Sequence, residues 1–353
     1  MSEMTKRPRW PLAPALLLLA ANVIFLFWPW ISQSPRFFEW DVPEQYWADT
    51  GLLCSGLSEG ALPLWNPGDR AGYPAYADPQ AGLYHPLNWA LCLGGGSHPS
   101  LFWSELRVLL GFLLAGLFGL LWLRKLGLDW GPALLGATLI QAAPFMRHNW
   151  ELNLTLGLAH LPLMLWAIER AVTEQRLRDS ALVALALGLC AWAGSPPALW
   201  QACIFASLYA LWRLVAQGRQ TSLAESIRGL RSLIFGALLA IPLCGVLIGP
   251  GLRLSSLSVQ AGRDLSSIAK GGLAPGDLVA FFWPQPGNHL YVGWIALGLC
   301  LLALLTFRFG ISTNLNKAET GHKLPGRSFY AAAIGLSLLL VLGEHGFLFS
   351  LLA

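Results

Sequence analysis

The residues best suited to chemistry come early in the chain. Glu39, Asp41 and Glu44 follow closely on an apolar run, Pro11 to Ile31, so a carboxylate among them stands within reach of a membrane surface. With a reference pKa of ~3.9, an aspartate there is ionised at neutral pH and able to take a proton from a hydroxyl. The same stretch continues through Leu62-Pro63-Leu64-Trp65-Asn66-Pro67-Gly68-Asp69 to Tyr73-Pro74 and Asp78-Pro79-Gln80. Proline and glycine at this density rule out regular helix and fix a set of turns. Trp65, Tyr73, Tyr76 and Tyr84 offer faces for stacking, and Asn66, Asp78 and Gln80 offer hydrogen bonds. Flat aromatics beside amides and carboxylates suit a sugar, and an ordinary packed surface loop has the same composition.

What must position these residues is a membrane domain. The 353 residues are 55% hydrophobic and 12% charged, with a mean hydropathy of +0.53, about half the charge of a soluble domain. The sequence predicts an all-α, polytopic transmembrane bundle of about nine spans: 11 to 31, 106 to 123, 131 to 147, 153 to 168, 181 to 195, 197 to 213, 232 to 250, 290 to 307 and 329 to 343. Two long segments connect them on one side, 32 to 105 and 251 to 289. Within the first, 81 to 93 is apolar but too short to span, and reads as an interfacial or re-entrant helix. With the N-terminus inside, 16 of the 23 Lys and Arg fall on inner segments, which puts both long segments on the outer face of a cell membrane. Trp28, Trp30, Trp103, Trp130, Trp150 and Trp294 sit where apolar runs meet polar ones, as an interfacial aromatic belt does.

Other functions fit less well. A net charge of +4 spread thinly over connecting segments carries no nucleic-acid signal. The spans hold no Asp, Glu, Lys or Arg away from their ends, whereas transporters place ionisable groups near midplane; His160 and Gln201 are the main polar exceptions. Neither CxxC nor HExxH spacing occurs, so no metal-ligand pattern is present. The loop carboxylates leave room for a hard divalent cation that no spacing supports. An oxidising exterior would allow Cys54 and Cys92 to form a disulfide, although their spacing does not fix one.

Taken together, Asp41-Val42-Pro43-Glu44-Gln45-Tyr46, the Pro-Leu-Trp-Asn-Pro stretch, Gly-Tyr-Pro and Ala-Asp-Pro-Gln resemble the YfhO-like bacterial membrane proteins. That family belongs to the GT-C class of polyprenyl-phosphate-sugar-dependent glycosyltransferases. His148-Asn149, His160-Leu161-Pro162-Leu163, Gly194-Ser195-Pro196-Pro197 and Tyr291-Val292-Gly293 agree with it. The resemblance implies a catalytic base in the first outer loop at Asp41, with Glu39 and Glu44 as neighbouring alternatives. It implies a substrate site that takes in Gln45, Tyr46, Trp65, Asn66, Asp78, Gln80 and His148. The donor would be a polyprenyl-phosphate-linked sugar drawn from the membrane lipid, and the acceptor a glycan or cell-envelope polymer. The leaving phosphate needs a cation; Arg253, Arg263 and Lys270 are at hand, and Arg263 is favoured. Members of the family are usually longer, and the apolar ending near Ala353 reads as a truncated frame or a fragment, with a short natural C-terminus on the outer face as the alternative.

Overall fold

The computed structural model describes residues 12–32, 41–69, 71–149, 153–219, 221–258, 272–283, 291–308, 327–342 and 345. Helix dominates. In chain order the helices are α1 (Leu12–Ile31), α2 (Trp47–Ser58), α3 (Pro86–Gly95), α4 (Leu101–Lys125), α5 (Trp130–Gln141), α6 (Pro144–His148), α7 (Leu154–Ala159), α8 (Leu161–Thr173), α9 (Leu177–Trp192), α10 (Pro196–Gly218), α11 (Leu223–Ser256), α12 (Trp294–Arg308) and α13 (Arg327–Val341). Among the described residues no strand forms, and the nearest approach to one is an isolated antiparallel bridge between Asn66 and Tyr73. Four helices, α1, α4, α10 and α11, are long and apolar enough to cross a membrane.

The remaining predicted spans differ from the observed helices for local reasons. The run 131 to 147 is cut after Gln141, because Pro144 lacks an N–H and pushes Ala143 into an extended conformation at ψ 121°. The run 153 to 168 is two helices meeting at His160, with a proline in the first turn of α8. The run 232 to 250 is the middle of α11, whose 34 residues reach about 51 Å, well past a ~30 Å hydrocarbon core. A short helix does form near the expected 81 to 93, at Pro86–Gly95, and is capped by His85, whose Nδ1 accepts the Leu87 N–H at 3.2 Å.

Polar side chains join the helices at buried points. Asn22 of α1 donates to Gln141 of α5 at 2.9 Å, and Gln141 donates to the Phe112 carbonyl of α4 at 3.1 Å. The fit needs Gly116, because a Cβ there would stand 2.4 Å from the Gln141 amide. Residues 41–95 form a cap on one end of this bundle. The disulfide Cys54–Cys92 ties α2 to α3, over a small core that includes Leu53, Ala75 and Leu83.

The cap touches the bundle at several points. The Tyr46 hydroxyl accepts the Asn153 N–H at 2.9 Å, and Asn153 Nδ2 donates to the Gln80 carbonyl at 3.1 Å. His85 and His160, both buried, face each other with Nε2 to Nε2 at 3.4 Å. Their tautomers follow from their other contacts. His85 Nδ1 accepts from Leu87, so its proton is on Nε2; His160 Nδ1 lies 2.8 Å from the Leu156 carbonyl, so it donates there and its Nε2 accepts. Burial, with His160 alongside, holds His85 well below the usual histidine range, which agrees with a neutral pair.

The opposite end of the bundle is charged. Lys125 pairs with Glu174 at 2.9 Å, and Arg170 bridges Glu174 and Asp179 at 3.0 and 2.7 Å. Further in, Arg213 Nη2 donates to Glu169 Oε2 at 2.8 Å, and Tyr209 donates to the same carboxylate. Both charged partners are buried, so removing one strands the other. Arg213→Ala should therefore cost about 3 kcal/mol of stability. Arg219→Ala, at an exposed arginine of the same helix end, should leave the melting midpoint in detergent nearly unchanged; equal midpoints for the two variants would contradict the assignment.

Candidate functional site

A cleft of about 540 Å³ opens in the cap. One wall is a continuous helical rod that begins as a single π-turn at Val42–Tyr46 and runs on into α2. Pro43 suits the start of this rod, where an N–H would have no helical partner. The wide turn closes with the Trp47 N–H donating to the Val42 carbonyl, five residues back. Asp41, Gln45, Asp49 and Leu52 then recur at steps of three or four along the rod and line the cleft, with Glu44 and Ala48 beside them. The facing wall is the proline and glycine segment, which contributes Asn66, Asp69, Tyr73 and Asp78.

That second wall owes its shape to side chains bonding to their own backbone. Asn66 Oδ1 accepts the Gly68 N–H at 3.0 Å, while Asn66 and Tyr73 exchange backbone hydrogen bonds of 2.8 Å. Asp78 caps the short turn that follows, accepting the Gln80 N–H at 2.8 Å and the Tyr73 hydroxyl at 3.1 Å. Gln45 Nε2 reaches across to Gln80 Oε1 at 3.4 Å. Asp78 is thus partly occupied in holding the loop, which is a structural task as well as a lining one.

Five carboxylates, Asp41, Glu44, Asp49, Asp69 and Asp78, line the cleft, and among the described residues no cation does. Asp49 feels this most. Burial, with the charge of Asp78 adding to it, raises its pKa to about 7, against the opposing pull of Gln45 and Arg107. Arg107, buried in α4, lies behind the cleft with its guanidinium 5.3 Å from the centre of the Tyr46 ring, and donates to Asn88 at 2.7 Å. Among the described residues no three His, Cys, Asp or Glu converge closely enough to hold a metal ion.

Of the residues singled out in the sequence, Asp41, Glu44, Gln45, Asn66 and Asp78 meet in this cleft. Tyr46 does not; it points into the bundle, where burial pushes its hydroxyl up to about 12. Trp65 packs over Gly72, at φ +115°, where a Cβ would stand 2.6 Å from the indole. Gln80 stands at the cleft's edge through its contact with Gln45. His148 is an exposed residue at the end of α6, outside the cleft lining. Glu39 and Arg263 lie outside the described residues. Asp49 and Asp69 were not expected in the site, though the spacing Asp41, Gln45, Asp49 was a readable helical stripe.

The raised pKa of Asp49 has a thermodynamic consequence. The folded protein favours the neutral carboxyl, so the stability it contributes is complete below about pH 4 and is lost as pH rises through about 7. Asp49→Asn keeps the neutral shape at every pH. Its melting midpoint should match the wild type near pH 4 or below and exceed it increasingly up to pH 8, and parallel curves over that range would mean Asp49 is not desolvated.

Comparison of the chain with protein-family models, with curated proteins and with solved structures finds no match in any of the three.

Proposed function

We propose that the chain is a membrane glycosyltransferase of GT-C type, carrying about nine spans with the cap on the outer face, and that the acidic cleft is where the sugar is transferred. The observation that carries this reading is the convergence of Asp41, Glu44 and Asp49 with Asn66 and Asp78 in one cleft. Carboxylates and an amide suit the hydroxyl-rich face of a glycan, and a carboxylate is the base that such a transfer needs. The disulfide Cys54–Cys92 in the same cap fits an oxidising exterior.

The reaction runs as a displacement. A carboxylate of the cleft takes the proton of an acceptor hydroxyl while that oxygen bonds to the anomeric carbon of the donor sugar, and the bond to the polyprenyl phosphate breaks. Asp41 is the base that the family resemblance implies. Asp49 competes for the role on physical grounds, because a base works best with a pKa near the working pH. The leaving phosphate would be repelled by five carboxylates, so it belongs at the rim. Arg253, exposed in the last turn of α11, is one described cation available for it, and Arg263 is the other candidate.

Transfer from a polyprenyl-phosphate-sugar donor in membranes should fall ~10²-fold or more when the base is replaced by its amide. If Asp49 is the base, Asp49→Asn suffers this loss, and the wild-type rate climbs from pH 5 to pH 8 as the carboxyl ionises near 7. If Asp41 is the base, Asp41→Asn suffers it instead. Glu59→Gln, on the exposed end of α2, should stay active. Full transfer by both Asn variants would remove the cleft from the chemistry.

Orientation has its own check. A cysteine at Gly68 should react with an impermeant thiol reagent in intact cells and one at Gln220 should not; the reverse pattern would put the cleft inside.

A further inference from the structure

The face that α3 turns outward is apolar. Pro86, Trp89, Ala90 and Leu93, at the i, i+3, i+4 and i+7 positions of one helix stripe, are exposed, Leu93 by 91%. The covered face carries the polarity instead. Asn88 is buried there, donating to the Gly82 carbonyl at 2.7 Å and accepting from Arg107 at 2.7 Å. A helix on a water-facing surface has the opposite arrangement. Trp89 brings no polar atom to its exposed side, because its indole N–H donates to the Leu83 carbonyl at 2.6 Å. Left uncovered, the stripe would hold tryptophan and leucine carbon in water.

The height of α3 on the bundle is fixed by its C-terminal end. A Cβ on Gly94 would overlap the indole of Trp103, and one on Gly95 would stand 3.0 Å from it, so the helix end lies against the first turn of α4. That helix is one of the four able to cross a membrane, and its 25 residues end in Arg124 and Lys125. Counted back from Arg124, a ~30 Å hydrocarbon core takes up about 20 residues of helix and ends near Ser104. With α4 in a bilayer, Trp103 and the end of α3 packed on it therefore stand at the edge of the core. Phe102, exposed in the same turn, and Trp47, which donates to the Pro99 carbonyl at 2.8 Å, add two aromatic rings at the level where such rings favour the interface.

We propose that the outward face of α3 lies in the lipid surface on the cap's side, with Trp89 and Leu93 reaching into the top of the acyl layer. This is the interfacial one of the two readings that the sequence leaves for the stretch. A second copy of the chain is the poorer occupant: ten residues of helix offer a face of about 15 Å by 10 Å, far below the ~800 Å² per partner of a stable protein interface. The anchor bears on the cleft, since Cys92, beside Leu93, is bonded to Cys54 on the helical rod that forms one cleft wall. It holds the cleft at a set height above the lipid, whatever chemistry the cleft performs.

The test is photocrosslinking of the full chain in phosphatidylcholine nanodiscs, with p-benzoyl-phenylalanine at one position at a time and the intact mass as readout. Leu93 is so open that the bulky replacement disturbs no packing. Irradiation should add the mass of one phosphatidylcholine at Leu93, as it should at Leu17 on the exposed face of α1. Glu59, a charged and exposed residue of the same cap, should gain none. A crosslinked pair of chains at Leu93, a crosslink from Leu93 within its own chain, no adduct at Leu93 while Leu17 reacts, or lipid adducts at Glu59 as abundant as at Leu93 would each overturn the proposal.

Discussion

Asn153 is the joint on which the cap rests. Its backbone N–H goes to the Tyr46 hydroxyl and its side-chain amide to the Gln80 carbonyl, so one residue at the start of α7 holds both walls of the cleft. Tyr46 belongs to the π-turn that aims Asp41 and Gln45, and Gln80 sits in the turn that Asp78 caps. Gly194 leaves room for the joint, since a Cβ there would meet the Asn153 amide at 2.7 Å. The break in the bundle between α6 and α7 therefore has a purpose: a helix running through would have spent the Asn153 N–H on its own ladder.

Electrostatics inside the cap follow from the same arrangement. Two walls that both carry carboxylates repel, and the disulfide and the bonds to Asn153 oppose that repulsion. Neutralising one carboxyl is the cheapest relief, and it falls on Asp49, the one burial desolvates enough to matter. Arg107 limits the effect from behind without entering the cleft. The site is thus held at a charge one protonation step away from neutral pH, a condition that proton-transfer sites share.

Much of this was legible in the sequence, though unevenly. Composition and apolar runs pointed to a helical membrane protein, and four helices have the length and apolarity to span. The helix breaks at Pro144 and Pro162 carried their own signal, yet a sliding count of apolar residues passes over them. The first loop was recognised as the place of interest from Asp41, Glu44, Asn66 and Asp78, which the fold brings together. Asp49 was not, because an aspartate inside a polar loop looks like any solvated one until burial is known. Tyr46 turns into protein and the half-exposed Trp65 packs over Gly72, outside the cleft lining, and nothing in the sequence separates either from an aromatic that stacks on a ligand. The contacts that Asn153, Gln141 and His85 make with other elements join residues 29 to 122 positions apart, and nothing local in the chain announces such pairings.

The tightest helix pairing has a bearing on how the protein is made. Gly236 of α11 lies so close to α9 that a Cβ would meet the Ser180 carbonyl at 2.8 Å, and Ser180 and Ser232 bond across the same contact at 2.9 Å. These two helices are not consecutive, since α10 leaves the ribosome between them. Translation therefore completes α9 and α10 before α11 exists to close the contact. Until α11 is made, the Ser180 hydroxyl and the small-residue face of α9 lack the partner that covers them, so the nascent chain passes through a stage in which this seam is unsealed.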